Sequence, residues 1–236
     1  MNDTSTAFLV PSTTRNRDWE TIEDTYLYHT LLRTLDHHCP DVSISVYIGY
    51  DDNDKIYSQA TERMKMNAIF TKFSIIWVAF KPDPGNVVAV WNGLFKIAMN
   101  HGFEWFKILG DDIRLPNDPA WLRLFQKRLK KQNYIGWAAG YNGNDNIATQ
   151  FLIHRTHWNI FEFVFPRQIK NWFCDDWLFN VYPEKYRYWR KDYPLLNIGG
   201  DPRYLPNDDK KLCEMLLRKY KKEIPEFVNM ISKIKK

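Results

Sequence analysis

Apolar residues along the chain follow two spacings in turn, and the alternation predicts a repeated strand–helix order. Segments with apolar positions three or four residues apart, as on one face of a helix, separate short apolar runs that have the length of strands. The predicted strands are 7–10, 42–50, 73–80 and 105–109, and the predicted helices are 18–35, 56–69 and 87–100. This order predicts an α/β fold with a mostly parallel central sheet flanked by helices. The continuously apolar run 73–80 predicts a strand buried on both faces.

The second half of the chain has a less regular pattern. We predict helices over 119–132, 156–161 and about 175–181, with strands at 134–139 and 149–154 between the first two. The aromatic and basic stretch 182–191 receives no element, and 197–204 is a glycine-rich loop. The last part, 208–236, predicts one or two basic helices broken at Pro225.

Polar residues follow three of the predicted strands, at 11–15, 50–54 and 110–112. Because the carboxyl ends of parallel strands meet at one edge of a sheet, these segments should converge there, where open α/β folds bind ligands. Asp111 and Asp112 are adjacent and repel each other unless a cation is near, and a divalent ion that holds a phosphate is the usual solution. The alternative is an Asp-rich turn without a ligand.

Two further segments carry candidate chemistry. Asp175 and Asp176 open a predicted helix among aromatic residues, where they either act as a general base or simply interact with the helix dipole. Arg203 follows the Gly199-Gly200 pair and either closes on a diphosphate as part of a mobile flap or lies in an ordinary surface loop.

The composition of the chain argues against a nucleic-acid-binding, a disulfide-rich or a membrane-spanning protein. The formal net charge of the 236 residues is +5, which suits an anionic small ligand and is too modest to indicate nucleic acid. Three widely spaced cysteines argue against a disulfide framework. With neither a signal-like N-terminus nor an apolar run of membrane-spanning length, we expect a cytoplasmic protein without an integral membrane segment.

One thirty-residue stretch resembles a known family. Gly85, the segment Ala89-Val-Trp-Asn-Gly93, Ala98, Gly102 and the strand ending in Gly110-Asp-Asp112 are similar in order and spacing to GT-A-fold glycosyltransferases, most like the family 2 type. The sequences around the two Asp pairs look closest to those of small glycosyltransferases of large DNA viruses. This resemblance would place the protein in a host cytoplasm. The resemblance covers about residues 7–205. It departs at position 110, where Gly replaces the first carboxylate of the usual D-x-D motif, and it lacks the Gln-x-x-Arg-Trp signature of polymerising members.

The resemblance implies a domain organisation and a set of site residues. Residues 1–205 would form one GT-A (Rossmann-like) domain, with a nucleotide-binding half at about 7–115 and an acceptor half at 116–205, followed by a helical tail at 206–236. Asp112 would hold Mn²⁺ or Mg²⁺, with His157 as a possible extra metal contact or a packing residue, and Asp176 or Asp175 would be the catalytic base. The residues implied at the nucleotide are Pro11, Thr13, Arg15, Asp51, Asp52, Asn92, Asp111 and Arg203.

The implied reaction is transfer of a sugar from a nucleoside-diphosphate sugar, UDP- or GDP-linked, to a hydroxyl of a glycan or glycoprotein. One base on the face opposite the leaving group predicts inversion at the anomeric carbon. A sugar nucleotidyltransferase is an alternative, although its usual glycine-rich phosphate loop is missing from Pro11-Ser-Thr-Thr-Arg15. A non-catalytic nucleotide-sugar-binding protein is the other alternative.

Overall fold

The structure, a computed structural model, describes residues 4–200, 203 and 205–234. In that part of the chain seven strands form one sheet in the order β3-β2-β1-β4-β7-β6-β8, and β7 alone runs against the others. The strands are β1 Thr6–Pro11, β2 Ile44–Asp51, β3 Ser74–Phe80, β4 Trp105–Ile108, β6 Trp137–Tyr141, β7 Leu152–His154 and β8 Arg187–Pro194. A separate antiparallel ribbon pairs β5 Ile113–Arg114 with β9 Leu196–Asn197.

Helices cover both faces of the sheet. The described helices are α1 Arg33–His37, α2 Ala60–Ile69, α3 Val87–Asn100, α4 Trp121–Lys131, α5 Thr156–Phe161, α6 Cys174–Val181, α7 Lys210–Tyr220 and α8 Glu223–Ile234. A π-helical turn, Leu27–Leu32, leads into α1. The predicted α/β fold with a mostly parallel sheet is confirmed.

Alternate residues of the central strands supply two cores. Ala7 and Leu9 of β1 face the core under α3, α5 and α6, whereas Phe8 and Val10 face the one under α1, α2 and α4. All four side chains are fully buried. A strand buried on both faces is apolar throughout, and this explains why β1 is easy to recognise in the sequence.

Several predicted elements needed correction. The run 73–80 is an edge strand, paired only with β2 and half-exposed, so the expectation of burial on both faces was wrong. The helix predicted from residue 18 starts later, because the Asp24 carboxylate accepts hydrogen bonds from the backbone N–H groups of Glu20 and Thr21 and fixes a non-helical turn. Strand β8 was missed because charged and aromatic side chains are mixed on both of its sides, and most of them are half-exposed.

The C-terminal helices pack onto the body of the protein. Cys213 and Leu216 of α7 and Ile224 of α8 are buried in the core that also contains α5 and α6. The break between the helices lies at residues 221–222 rather than at Pro225, which sits in the first turn of α8, where a missing N–H is tolerated. None of the helices in the described part of the chain is long and apolar enough to cross a bilayer.

Candidate functional site

The carboxyl ends of β1, β2 and β3 enclose a cleft of about 620 Å³, counted out to its open mouth. Three polypeptide segments and one isolated side chain form its walls. The lining residues are Pro11, Ser12, Thr13, Arg15, Gly49, Tyr50, Asp51, Asp83, Pro84, Gly85, Asn86, Val87, Val90 and Arg203.

Asp111 lies behind the cleft and is 1% exposed. Its carboxylate accepts a hydrogen bond from the Ser12 hydroxyl over 2.6 Å, and that hydroxyl also lies 2.8 Å from the phenol oxygen of Tyr57. Arg203 donates to both carboxylate oxygens, and it also donates to the carbonyl oxygen of Thr13 over 3.0 Å. Asp111 therefore connects the end of β1 to Arg203.

Asp112 is held between two glycines. A Cβ atom at Gly110 would lie 2.6 Å from Oδ1 of Asp112, and one at Gly199 would lie 2.1 Å from Oδ2. The β5–β9 ribbon brings Gly199 to this place, and the backbone N–H of Ile198 donates to the Asp112 carbonyl oxygen. Burial and the neighbouring Asp111 charge raise the pKa of Asp112 to about 6, against the opposing effect of Arg203.

The Arg15 guanidinium, which lines the cleft, donates to Asp51 over 2.8 Å. Asp52, which was grouped with Asp51, pairs instead with the exposed Lys81 over 2.7 Å. Asp54 was missed: its carboxylate accepts from the backbone N–H groups of Thr14, Ile56 and Tyr57 and ties the β1 and β2 ends together. An Asp side chain commonly accepts a hydrogen bond from the backbone N–H two residues later and so forms a turn. An Asp shortly after a strand is therefore a turn signal that could have identified Asp54.

The donor set at Asp111 and Asp112 fits a metal bound together with a ligand. Among the residues that the structure describes, no group of three His, Cys, Asp or Glu side chains could hold a metal ion alone. Mg²⁺ and similar hard ions commonly use one or two carboxylates and take their other oxygens from substrate phosphates and water. Asp111 and Asp112 offer two adjacent carboxylates against Arg203, a residue of the cleft lining, and that number of protein ligands matches this mode of binding.

A second pocket lies beside the cleft and shares Val87 with it. Its lining includes Asp175 and Asp176 at the start of α6, together with Trp172, whose side chain is 49% exposed. Burial, and then the charge of Asp176, raise the pKa of Asp175 to about 7. Burial also raises the pKa of Asp176. A carboxyl group with a pKa near 7 suits proton abstraction at neutral pH.

Hydrogen bonds to backbone carbonyl oxygens join the walls of the two pockets. The Asn171 side chain donates to the carbonyl oxygen of Gly85 over 2.8 Å, and the Val88 N–H donates to the carbonyl oxygen of Lys170 over 3.1 Å. The segment that precedes Asp175 is therefore held against the cleft wall.

Two residues expected at the site lie in structural roles elsewhere. His157 is buried, with Nε2 3.1 Å from the Val164 carbonyl oxygen and Nδ1 2.9 Å from the Tyr182 hydroxyl. Both ring nitrogens are thus used within the core, and His157 packs rather than joins Asp112. The Asn92 side chain bonds to the backbone of Val164 and Phe165, and so it fastens α3 to that segment.

No family model and no curated protein sequence matches this chain. Among solved structures, it is similar to the mannosyltransferase PcManGT from Pyrobaculum calidifontis in complex with GDP-Man and Mn²⁺, with 12% identity and a TM-score of 0.56 over 85% of this chain. The chain spans 58% of that protein's length. A cytidylyltransferase from Leptospira borgpetersenii matches with 12% identity over 85% of this chain and 79% of its own, but its TM-score of 0.45 carries no weight. The first likeness confirms the predicted GT-A fold.

Proposed function

We propose that this protein is a metal-dependent glycosyltransferase that moves a sugar from a UDP- or GDP-linked donor to a hydroxyl of a glycan or glycoprotein acceptor. The observation that carries the proposal is the contact between two pockets. A cleft lined by Arg203, whose guanidinium contacts the Asp111 and Asp112 carboxylates, adjoins a pocket with two carboxylates of raised pKa. The solved mannosyltransferase of the same fold, which binds GDP-Man and Mn²⁺, supports the same conclusion.

The cleft suits a nucleoside. Pro11, Thr13 and Tyr50 offer surface for a base and a ribose, and the Arg15–Asp51 pair presents both donors and an acceptor to a base edge. Asp111, already bonded to Ser12, would accept a hydrogen bond from a ribose hydroxyl. Asp52 pairs with Lys81 at the surface, so it would contact only the solvent-facing side of the base.

Departure of the nucleoside diphosphate is the step that develops negative charge. Asp112 would hold Mn²⁺ or Mg²⁺. When bound, such an ion neutralises part of that negative charge. Arg203 can turn from Asp111 onto the diphosphate, because a guanidinium forms two parallel hydrogen bonds to phosphate as readily as to a carboxylate. Both groups would stabilise the leaving group without transferring a proton.

The second pocket suits the acceptor. An exposed Trp beside carboxylates is a good surface for a sugar ring, since an indole face covers apolar C–H groups while the carboxylates accept from hydroxyls. Asp176 or Asp175 would take the proton of the attacking hydroxyl as the new bond to the anomeric carbon forms. Attack from this side, with the leaving group in the cleft, inverts that carbon.

A thermal-shift panel of UDP, GDP, CMP, TDP and ATP, each with and without Mn²⁺, tests the donor site. At about 100 times its dissociation constant a nucleotide stabilises the native state by roughly 2.7 kcal/mol. We expect one nucleoside diphosphate to raise the melting temperature only with the metal, and Asp112→Ala to abolish the effect. Chelation of the metal should remove the shift from the wild type.

The reaction products test the chemistry. We expect metal-dependent release of a nucleoside diphosphate from the matching sugar nucleotide, and loss of this release in Asp175→Asn combined with Asp176→Asn. A protein that binds the nucleotide without turnover would contradict the enzyme, and formation of a sugar nucleotide with release of pyrophosphate would indicate a nucleotidyltransferase instead.

A further inference from the structure

Lys107 is a fully buried lysine on β4, four residues before Asp111. Its ammonium nitrogen lies 5.2 Å from the centre of the Trp121 ring and 5.8 Å from that of Phe125, both on α4. Burial lowers the pKa of Lys107 well below its usual value. A cation in an apolar core costs folding free energy, so packing alone does not account for a lysine at this position.

The Lys107 ammonium donates a hydrogen bond to the backbone carbonyl of Gln150. Gln150 has a φ of 55°, in the left-handed region that residues other than glycine rarely adopt. Such a conformation persists where neighbouring contacts hold it. The lysine therefore fixes a residue whose backbone is unfavourable by itself.

Gln150 in turn contacts the backbone just before Asp111 and Asp112. Its side-chain oxygen Oε1 accepts a hydrogen bond from the backbone N–H of Gly110 over 3.0 Å. The Asp112 carboxylate folds back over Gly110 so closely that a Cβ atom there would lie 2.6 Å from Oδ1. The backbone position of Gly110 and the position of the Asp112 carboxylate are therefore closely linked.

We propose that Lys107 is a positioning residue that acts through Gln150 to hold the Asp111–Asp112 turn in the geometry that binds a divalent cation. This inference rests on the proposed function, because it takes Asp112 as the metal-binding carboxylate. Residues that orient metal ligands without touching the ion change metal affinity by about 10–100-fold when they are replaced. Lys107 would belong to that group although it lies in the core beneath the site.

The test is the Mn²⁺ dissociation constant, measured from the electron paramagnetic resonance signal of free Mn²⁺ in the presence of UDP or GDP. Lys107→Met keeps an apolar chain of similar length and removes the donor, so we expect affinity to fall about tenfold. The matched control is Gln126→Met. Gln126 is also buried, but its amide bonds to Thr4 and Thr6, the latter at the start of β1 and so at the opposite end of that strand from the cleft.

Unfolding by urea separates positioning from general destabilisation. We expect Gln126→Met to lose stability and to keep its Mn²⁺ affinity, whereas Lys107→Met loses affinity whether or not its stability changes. Gln150→Ala removes the side-chain amide with its Oε1 but keeps the backbone carbonyl that Lys107 contacts. It should reproduce the loss, and it decides the question if Lys107→Met does not fold. The double variant should lose no more than either single one, because both changes break the same connection.

Three outcomes would overturn the proposal. Wild-type affinity in a folded Lys107→Met, or in Gln150→Ala, would remove the connection while leaving the glycosyltransferase proposal intact. Additive losses in the double variant would show two independent effects. Failure of the wild type itself to bind Mn²⁺ with any nucleotide would overturn both this proposal and the proposed function.

Discussion

Arg203 lies against Asp111, with one guanidinium nitrogen 2.5 Å from Oδ2 and the other in contact with Oδ1. The same guanidinium is 3.8 Å from Asp112. The arginine is 14% exposed and the Asp111 carboxylate 1%, so this ion pair is largely shielded from water. Arg203 is thus a counter-ion within the protein for the two carboxylates that we assign to the donor site.

We expect Arg203→Lys to weaken binding of the nucleoside diphosphate about tenfold, equivalent to about 1.4 kcal/mol. A lysine keeps the charge but cannot form two parallel hydrogen bonds to a phosphate. Isothermal titration calorimetry with saturating Mn²⁺ measures the change. Arg123→Lys, at an exposed ion pair with Asp41, is the control and should bind like the wild type.

We expect Arg203→Ala to destabilise the protein itself, by about 3 kcal/mol, because removal of one partner leaves the buried Asp111 charge without its cation. Urea unfolding in the absence of nucleotide measures this effect. An unchanged free energy of unfolding would show that Ser12 and water suffice to satisfy Asp111.

The glycines around Asp112 provide a steric test. Gly110→Ala and Gly199→Ala each place a methyl group within 2.6 Å of an Asp112 oxygen, so the carboxylate must move. We expect each to weaken Mn²⁺ binding at least tenfold, about 1.4 kcal/mol. Gly93→Ala, whose methyl group would meet the Phe80 ring, is the control for a collision elsewhere. It should lower stability and leave metal affinity unchanged.

The pair Asp175 and Asp176 predicts the pH dependence of the reaction. A carboxyl group abstracts a proton only when ionised, so with a pKa of Asp175 of about 7 the transfer rate should rise from about pH 6, reach half its maximum near pH 7 and level off above about pH 8. Carboxyl ¹³C NMR should show Asp175 titrating in the same range. In Asp176→Asn that midpoint should fall, because one of the two causes that raise the pKa is removed. A rate independent of pH in this range would contradict the assignment of a carboxylate base.

His157 predicts the acid sensitivity of the fold. Burial lowers the pKa of His157 to about 4, whereas an unfolded histidine titrates near 6.5. The unfolded chain therefore binds the proton first, and stability that is fully present above pH 6.5 should be lost between pH 6.5 and 4, by up to about 3 kcal/mol. Urea unfolding at these two pH values measures the loss. His157→Gln should flatten this dependence, whereas His101→Gln, at the end of α3, should keep it.

Elements buried on both faces of the sheet could be predicted well from the sequence. Strand β1 has an unbroken apolar run at 7–10 and β4 is apolar apart from Lys107, because both sides of each strand face a core, and α3 shows its apolar face at regular spacing. At the edges this information is weaker: β3 is apolar but half-exposed, and β8 mixes aromatic with charged residues on both sides, because an edge strand packs against fewer neighbours. The convergence of the β1, β2 and β4 ends followed from topology alone.

The fold class and the two Asp pairs could be read from the sequence, because strand–helix alternation and strand-end carboxylates are local patterns. The contacts of each side chain depend on how the chain folds in three dimensions. It placed Arg203 on Asp111, Gly199 against Asp112 and Lys107 behind Gln150, and it moved Asn92 and His157 into packing roles. These contacts join residues far apart in the chain, and no local spacing of residue types encodes which distant partner a buried polar group will meet.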